Sequence, residues 1–400
     1  MEIKKTAEED SGQKKKSDSR EDYIRASLAL SMIPSVGAGR IRKLFEHFSD
    51  PMAVFSKKWE EIAEVPSIGV GVARSIHHFR KWNEVDRVLM MTAKHRMKLI
   101  TPADRCYPFR LRHIYDPPAI LWVKGDPNSL KNEFIAVVGT RRPSATGREL
   151  TITLTRAITE AVHAGIVSGL AHGIDTLAHK VALEQCRCTV AVLGCGLDRV
   201  YPAGNRRLAH DILNSGGALI SEYPPGTKPD AHHFPVRNRV VSGMSLGVVV
   251  METGINGGSM ITVGQALEQG REVFAVPHDI RNERGEGCNI IIQRGWGKLI
   301  CNAEDVAAEL PAAIRAACYE AHSVDGLEAS RKRGRAQNNK RVLNPLQQKI
   351  VTLLEVKILH IDALSRQIGS ATHNLLPVLL QLELEGVIEQ RPGKKFALRE

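Results

Sequence analysis

Residues 134–147 read FIAVVGTRRPSATG. Five apolar residues run into a glycine. A polar loop with two arginines and a proline follows, and then a stretch that opens with helical spacing. A short apolar run, a glycine-bounded loop and an amphipathic helix, in that order, predict one strand–turn–helix unit of a parallel sheet. The unit repeats downstream. Candidate strands are Phe134–Val138, Ile166–Ser168, Thr189–Leu193, Ala218–Ser221, Leu246–Met251, Glu272–Val276 and Lys298–Ile300. Candidate helices lie between them at 147–163, 174–185, 205–214, 235–243, 259–269 and 288–294. Apolar strand runs without polar alternation mark a sheet covered on both faces, so the fold class is α/β with a mostly parallel sheet.

Working outward, residues 101–133 are rich in proline and turns, carry one apolar strand at Ile120–Val123, and read as the lead-in to a sheet domain spanning 101–310. Residues 23–100 read as short helices. Ile33-Pro34-Ser35-Val36-Gly37-Ala38-Gly39 returns some thirty residues on as Val65-Pro66-Ser67-Ile68-Gly69-Val70-Gly71. Two such turns between helices resemble a pair of helix-hairpin-helix units, with Arg40, Arg42, Lys43 and Arg74 placed to add charge. A plain helical hairpin with glycine caps is the alternative. Residues 1–22 are polar, mixed in sign, and predicted to be a disordered tail. After the sheet domain, residues 311–343 read as a basic linker, with six basic and no acidic residues from Arg331 to Arg341. Residues 344–400 give three helices, Pro345–Leu354, Ile361–Ile368 and Ala371–Glu385, and then strand, glycine turn and strand, the succession of a winged helix. Its third helix carries few basic side chains, which favours contact with protein over reading of a DNA groove.

The composition narrows the class. The chain has 400 residues, 43% hydrophobic and 25% charged, which excludes wholesale disorder. No apolar run approaches the ~18 residues of a bilayer span. The opening MEIKKTAEED lacks the apolar core of a secretory signal, so a cytoplasmic location away from membranes is expected. Seven cysteines without a CxxC pair suit neither a disulfide framework nor a zinc ribbon. Lys and Arg number 55 against 44 Asp and Glu, a formal charge of +11. Residues 23–133 alone hold 18 basic and 11 acidic groups. A basic balance favours a polyanionic partner, usually nucleic acid.

Ligands of open α/β sheets sit beyond the carboxyl ends of the strands, so the loops there matter most. Gly139-Thr140-Arg141-Arg142-Pro143-Ser144 opens a helix and suits phosphate, but is neither G-x-G-x-x-G nor a P-loop, so no dinucleotide or nucleoside-triphosphate cofactor is expected. Ser168-Gly169-Leu170-Ala171-His172-Gly173 precedes Asp175, read as a helix cap, and His179. Cys195, between Gly194 and Gly196, reads as a buried packing thiol. Arg237 and Arg239 flank Asn238 at a predicted helix start and could grip adjacent phosphates, or instead pair with Glu222 and Glu252. Gly257-Gly258-Ser259-Met260-Ile261-Thr262 has the glycines and hydroxyls of an anion nest, with Ser259 read as the helix cap.

The runs GTRRPSATGRE, SGLAHGIDTLAH, VLGCGLDRVYPAGN, LISEYPPGT, FPVRNRVVSG, GGSMIT and ALEQGREVFAVP together resemble the DNA-processing protein A family, DprA, also called Smf. The resemblance covers about residues 23–400. It implies an extended Rossmann-like domain, preceded by a small helical domain (helix-hairpin-helix or SAM-like) and followed by a winged helix. It also implies a non-enzymatic role: binding single-stranded DNA, dimerising, and loading a RecA-type recombinase in natural transformation. A single-strand-binding protein is a further expected partner. Carried onto this chain, the DNA site comprises Arg141, Arg142, Ser168, Gly169, Arg237, Asn238, Arg239, Gly258, Ser259 and Thr262, with no catalytic residue and no metal. Three places depart from the family pattern. His172 stands where Arg is frequent, His278 where Gly is usual, and Arg294-Gly295-Trp296 where an acidic residue, Gly and Ala are common. With aromatics at 5%, base stacking is expected to be sparse.

The alternative is an enzyme acting on nucleotides, of the lysine-decarboxylase-like phosphoribohydrolase group. That chemistry needs a glutamate at the end of the Gly257–Thr262 stretch, where Val263, Gly264 and Gln265 stand instead and Glu268 comes a turn later.

Overall fold

The computed structural model describes residues 20–48, 50–310 and 345–398, apart from 357, 371, 385–386 and 392–394. These form two compact units, one of the described residues up to 310 and one of those from 345.

The first unit is built on a nine-stranded sheet. In chain order the strands are β1 (Lys98–Ile100), β2 (Leu121–Gly125), β3 (Phe134–Val138), β4 (Gly165–Ser168), β5 (Thr189–Val192), β6 (Ala218–Ser221), β7 (Gly247–Val250), β8 (Glu272–Ala275) and β9 (Lys298–Leu299). Across the sheet they lie β1-β2-β6-β5-β4-β3-β7-β8-β9. Neighbours from β6 to β9 are parallel, while β2 and β1 add an antiparallel edge. Strand order reverses at β3, so the crevice between β3 and β7 is the topological switch point where such sheets take ligands.

Strands β3 to β7 are buried along their whole length, as their unbroken apolar runs require. Alternate residues serve the two faces. Ile135 and Val137 pack with Leu154, Ile158 and Ala178 from α7 (Ala145–Val162) and α8 (Ile174–Glu184). Phe134, Ala136 and Val138 pack with Val240, Met244 and Val263 from α10 (His233–Met244) and α11 (Gly258–Glu268). Between these pairs, α9 (Arg206–Asn214) follows β5, and α12 (Glu286–Gln293) and α13 (Ala303–Glu309) complete the unit. Two aromatic rings lie over strand glycines. A Cβ on Gly165 would come within 2.8 Å of the Phe134 ring, and one on Gly247 within 2.8 Å of the Phe274 ring.

The seven expected strands of the parallel region are all present, with ends shifted by a residue. The one strand expected in the lead-in is β2, which the short helix α6 (Phe109–Arg112) precedes. The stretch 23–100, expected to be helical, ends in a strand: β1, a three-residue KLI segment too short to show a period, pairs with β2 and extends the sheet. Residues 20–22, expected in the tail, belong to helix α1 (20–31), where Arg20 pairs with Asp104 at 2.8 Å. The rest of that tail, residues 1–19, and the 311–343 linker lie outside the described residues. Helices α2 (Ala38–His47), α3 (Trp59–Ala63), α4 (Val70–His77) and α5 (Trp82–Lys94) follow α1. They share one buried cluster with Leu170, Leu193, Leu208 and Leu219 of the sheet region. Trp122 of β2 donates to Thr92 of α5 at 3.0 Å. The two Pro-Ser-x-Gly turns are alike in detail: Ser35 and Ser67 are both left-handed (φ 67° and 73°), and Gly37 and Gly69 both precede a helix.

The second unit has helices Pro345–Val356, Ile361–Ile368 and Thr372–Leu384 and an antiparallel three-stranded sheet in the order β10 (Leu359–His360), β12 (Lys395–Leu398), β11 (Ile388–Arg391). Ile350, Leu364, Leu375 and Leu382 are its fully buried centre. This is the expected winged helix. Among the described residues no helix is long and apolar enough to cross a membrane.

Phe274→Ala removes a fully buried ring seated on Gly247. It is expected to destabilise the first unit by about 3–5 kcal/mol, read as a lower urea midpoint.

Candidate nucleic-acid interface

The loops after β3, β4 and β7, together with the first turns of α10 and α11, enclose a cavity of about 400 Å³ at the switch point. Its lining includes Arg141, Arg142, Gly169, Arg237, Asn238, Gly258, Ser259 and Thr262. Eight of the ten expected site residues therefore meet in one place, although the sequence spreads them over more than a hundred positions.

One carboxylate holds the floor of this arrangement. Glu252, fully buried just after β7, accepts from Ser144 N at 2.8 Å, Ser144 Oγ at 2.7 Å and Asn282 Nδ2 at 3.1 Å. Its backbone carbonyl accepts from Thr140 N at 2.7 Å. Ser144 is also the N-cap of α7, accepting from Gly147 N at 2.9 Å. Gly147 is glycine for a reason of space, since a Cβ there would lie 2.4 Å from Glu252 Oε2. Burial works to raise the Glu252 pKa, but the Ser144 and Asn282 hydrogen bonds hold it below the ordinary value.

Arg237 forms the back wall. It is 6% exposed, and Nη1 donates to the carbonyls of Gly169 (2.6 Å) and Val192. Its guanidinium lies flat on Gly169, where a Cβ would be 2.4 Å from Nη1. Nε has no partner. Asp175, the one carboxylate in the lining, accepts from the amides of Gly169 (3.1 Å) and Ala171 (3.2 Å). Burial raises the Asp175 pKa against the nearby Arg237 charge, and burial lowers that of Arg237. Arg141 and Arg142 stand exposed at the mouth.

Two expected site residues face elsewhere. Arg239 lies on the opposite side of α10, where it pairs with Glu222 and with Asp116 at 3.2 Å. Ser168 is fully buried and donates to Val137 O at 2.7 Å. The acidic partners expected for the arginines divide: Glu222 takes Arg239, whereas Glu252 serves the Ser144 loop. Arg237 and Asn238 sit in the second turn of α10, not at its start. Asp175 does not cap α8, whose N-cap is Gly173 (φ 79°). It closes the loop before it. Ser259 is likewise inside α11, after the N-cap Gly257, and donates to Thr253 Oγ1 at 2.7 Å. His179 is a core residue. Its Nδ1 lies 2.7 Å from Thr189 Oγ1, and burial drops its pKa to about 3. Cys195 is 1% exposed with its thiol pushed up to about 11 by burial, as a packing residue should be. His278 pins its loop, with Nε2 2.7 Å from Met251 O.

Aromatic side chains gather near the cavity, although aromatics make up only 5% of the chain. Phe234 lines the cavity and stacks on Tyr201 with centroids 5.6 Å apart. The Arg141 guanidinium lies 5.6 Å from the same ring. His233 stacks on Tyr223 at 4.1 Å. Phe234 and Tyr201, with His172 and Pro202, also border a smaller adjoining cavity of about 80 Å³. Composition counted these rings without placing them. The signal in the sequence was that Tyr201 and Phe234 each stand beside a proline in a strand-following segment. Among the described residues, no group of His, Cys, Asp and Glu is placed to hold a metal ion.

The fold and the cavity define a doubly wound α/β protein with an arginine-lined, aromatic-edged cavity at its switch point. Comparison with known proteins places it further. The family described as DNA recombination-mediator protein A matches residues 98–311, and the DprA winged helix domain matches 335–394. DNA processing protein DprA of Bacillus subtilis is 43% identical over 229 residues, 57% of this chain and 76% of its own length. Protein Smf of Escherichia coli is 36% identical over 306 residues, 75% of this chain and 77% of its own. The X-ray structure of DNA processing protein A from Streptococcus pneumoniae superposes with a TM-score of 0.61 at 34% identity, covering 72% of this chain and 98% of that one. The chain belongs to the DNA recombination-mediator protein A family.

Two outcomes test the site's construction. Gly169→Ala drives a methyl into the Arg237 guanidinium and should cost about 1–3 kcal/mol in urea unfolding. Gly258→Ala, with nothing within 4 Å of its Cβ, should leave stability unchanged. Glu252 holds its proton less tightly folded than unfolded, so its ionised form adds stability above the ordinary value of 4.5. That contribution is lost as pH falls through the lower folded value. Thermal unfolding should therefore show Glu252→Gln clearly less stable than wild type at pH 7, with the gap narrowing below pH 4.5.

Proposed function

We propose that the chain is a non-enzymatic, single-stranded DNA-binding recombination mediator. The observation that carries this reading is the switch-point cavity, with Arg141, Arg142 and Arg237 around it and Phe234 at its edge. Arginines serve phosphates through charge and fixed donor geometry, and a ring at the mouth serves any base. A single strand can turn a nucleotide into such a recess freely. A duplex must first unstack one, at a cost of a few kcal/mol. The family described as recombination-mediator protein A supports the same reading.

The nucleotide-acting enzyme is disfavoured by how the carboxylates are used. Asp175 is taken up by two amides, and Glu252 by Ser144 and Asn282. Glu268 lies at the far end of α11, about 15 Å along the helix from Gly258. None is free at the cavity for acid–base work.

The finer parts of the proposal are a homodimer, delivery of the strand to a RecA-type recombinase with a single-strand-binding protein as the competing coat, a part in natural transformation, and a cytoplasmic site of action. The dimer is supported by an apolar groove of about 530 Å³ between α11 and α12, with Ile261, Leu267 and Trp296 exposed beside it and Leu299 exposed on edge strand β9. Arg294 lies over Trp296 there at 4.7 Å. A single monomeric species in sedimentation equilibrium would remove the dimer. Filament assembly on a coated strand that this protein does not accelerate would remove the loading role.

The central claim is tested by fluorescence anisotropy with a labelled oligonucleotide, single-stranded and duplex, over a range of salt. Wild type should prefer the single strand. Arg141→Glu/Arg142→Glu should weaken that binding by roughly tenfold or more, with a salt slope shallower by ~1.4 for two lost phosphate contacts. Equal affinity in wild type and variant would move the DNA site away from this cavity.

A further inference from the structure

A second groove, of about 460 Å³, lies between α8 and α9. Its lining is mixed, with Leu183 and Leu208 beside Thr176 and Asn205, and its rim carries Lys180 and Arg207, both exposed. The contact of His172 with Gly204 separates it from the switch point. The two cavities at the switch point share Arg141, Phe234 and Arg237. His172 borders the smaller one and packs against Gly204, where a Cβ would lie 3.2 Å from its ring, and Gly204 lines the α8–α9 groove. The partition between them is rigid. Asn205 donates to Leu170 O at 2.8 Å and to Thr176 Oγ1 at 2.9 Å, and Thr176 donates to Ala171 O at 2.7 Å.

The charges on this path favour a polyanion. Lys180 and Arg207 have no ion-pair partner among the described residues. Of the two carboxylates in the groove, Glu184 is paired with Arg156 at 3.2 Å. Asp211 offsets part of the field. A mixed floor of leucine, threonine and asparagine with exposed Lys180 and Arg207 beside it suits a strand that lays sugars and bases inward and phosphates outward.

We propose that the α8–α9 groove is a second DNA subsite. The strand leaving the switch-point cavity passes Tyr201 and His172, crosses Gly204, and sets its next phosphates against Arg207 and Lys180. This rests on the single-strand reading above and adds a direction and a length to it. The groove contributes only to strands long enough to reach it. A short oligonucleotide is held by the cavity alone.

The test is an anisotropy titration with single-stranded oligonucleotides of about 4 and about 16 nucleotides, the span of site sizes for single-strand binders. Wild type is compared with Lys180→Glu/Arg207→Glu, both on exposed helix positions, with thermal unfolding as the check on folding. The expected result is unchanged affinity for the short strand, a loss of roughly tenfold or more for the long one, and a salt slope for the long strand lower by ~1.4. Equal long-strand affinity and slope in the two proteins overturn the subsite. Equal losses for both lengths overturn it too, since they mark a general field effect. A wild type that binds neither length overturns the single-strand reading itself. A variant that unfolds early is replaced by Lys180→Gln/Arg207→Gln, for which the same long-strand loss is required.

Discussion

The buried carboxylate of Glu252 is the constraint on which the candidate site depends. It leaves β7 at the switch point and ties together two segments that the chain keeps far apart, the Ser144 turn that opens α7 and the Asn282 loop after β8, while the Glu252 backbone carbonyl holds Thr140. A buried carboxylate is tolerated only when its lone pairs are taken, and here amide, hydroxyl and side-chain amide donors take them. Gly147 has no Cβ because that carboxylate occupies the space. With the loop held from below, Arg141 and Arg142 project from its outer side, presented by a loop that is braced against the sheet.

The same logic separates the site's arginines by task. Arg237 is nearly as buried as a core residue, yet its guanidinium donates to two carbonyls and faces the cavity. It is a fixed positive wall that costs no side-chain ordering when an anion arrives. Arg239 instead neutralises Glu222 and Asp116 and holds α10 to the lead-in segment. The exposed charge is left to Arg141 and Arg142. Aromatic rings are placed in the same manner: Phe234 and Tyr201 are stacked on one another at the edge of the cavity.

Much of this was legible before the fold was known. The strand–loop–helix alternation from Phe134 onward reads directly, because buried parallel strands are short apolar runs and each is punctuated by a glycine-bearing loop. Eight residues of the cavity were also identifiable by type and position. The departures from expectation are local competitions. Ser168 and Arg239 have side chains that suit a ligand as well as a structural partner, and the Val137 carbonyl takes the first while the Glu222 and Asp116 carboxylates take the second. Asp175 and Ser259, expected as caps, lie within their helices because Gly173 and Gly257 hold the cap positions. β1 was missed because three residues have no period. Its pairing with Trp122 and its neighbours in β2 is what makes it a strand.

The sequence by itself determined the order of elements, the two-faced burial of the sheet and the winged helix, because each follows from local period and local turn chemistry. It also brought Arg237 and Arg239 forward as a pair. Only the tertiary structure decided that they do different work. Two residues apart on a helix, they point about 200° from one another, so one meets the cavity and the other the acids behind it. Which of them faces the cavity depends on how α10 is rolled against β3 to β5, and that is set by Val240, Val241 and Met244 packing into the sheet. The meeting of cavity and aromatic mouth was decided in the same way, by strand order across the sheet, which no local pattern records.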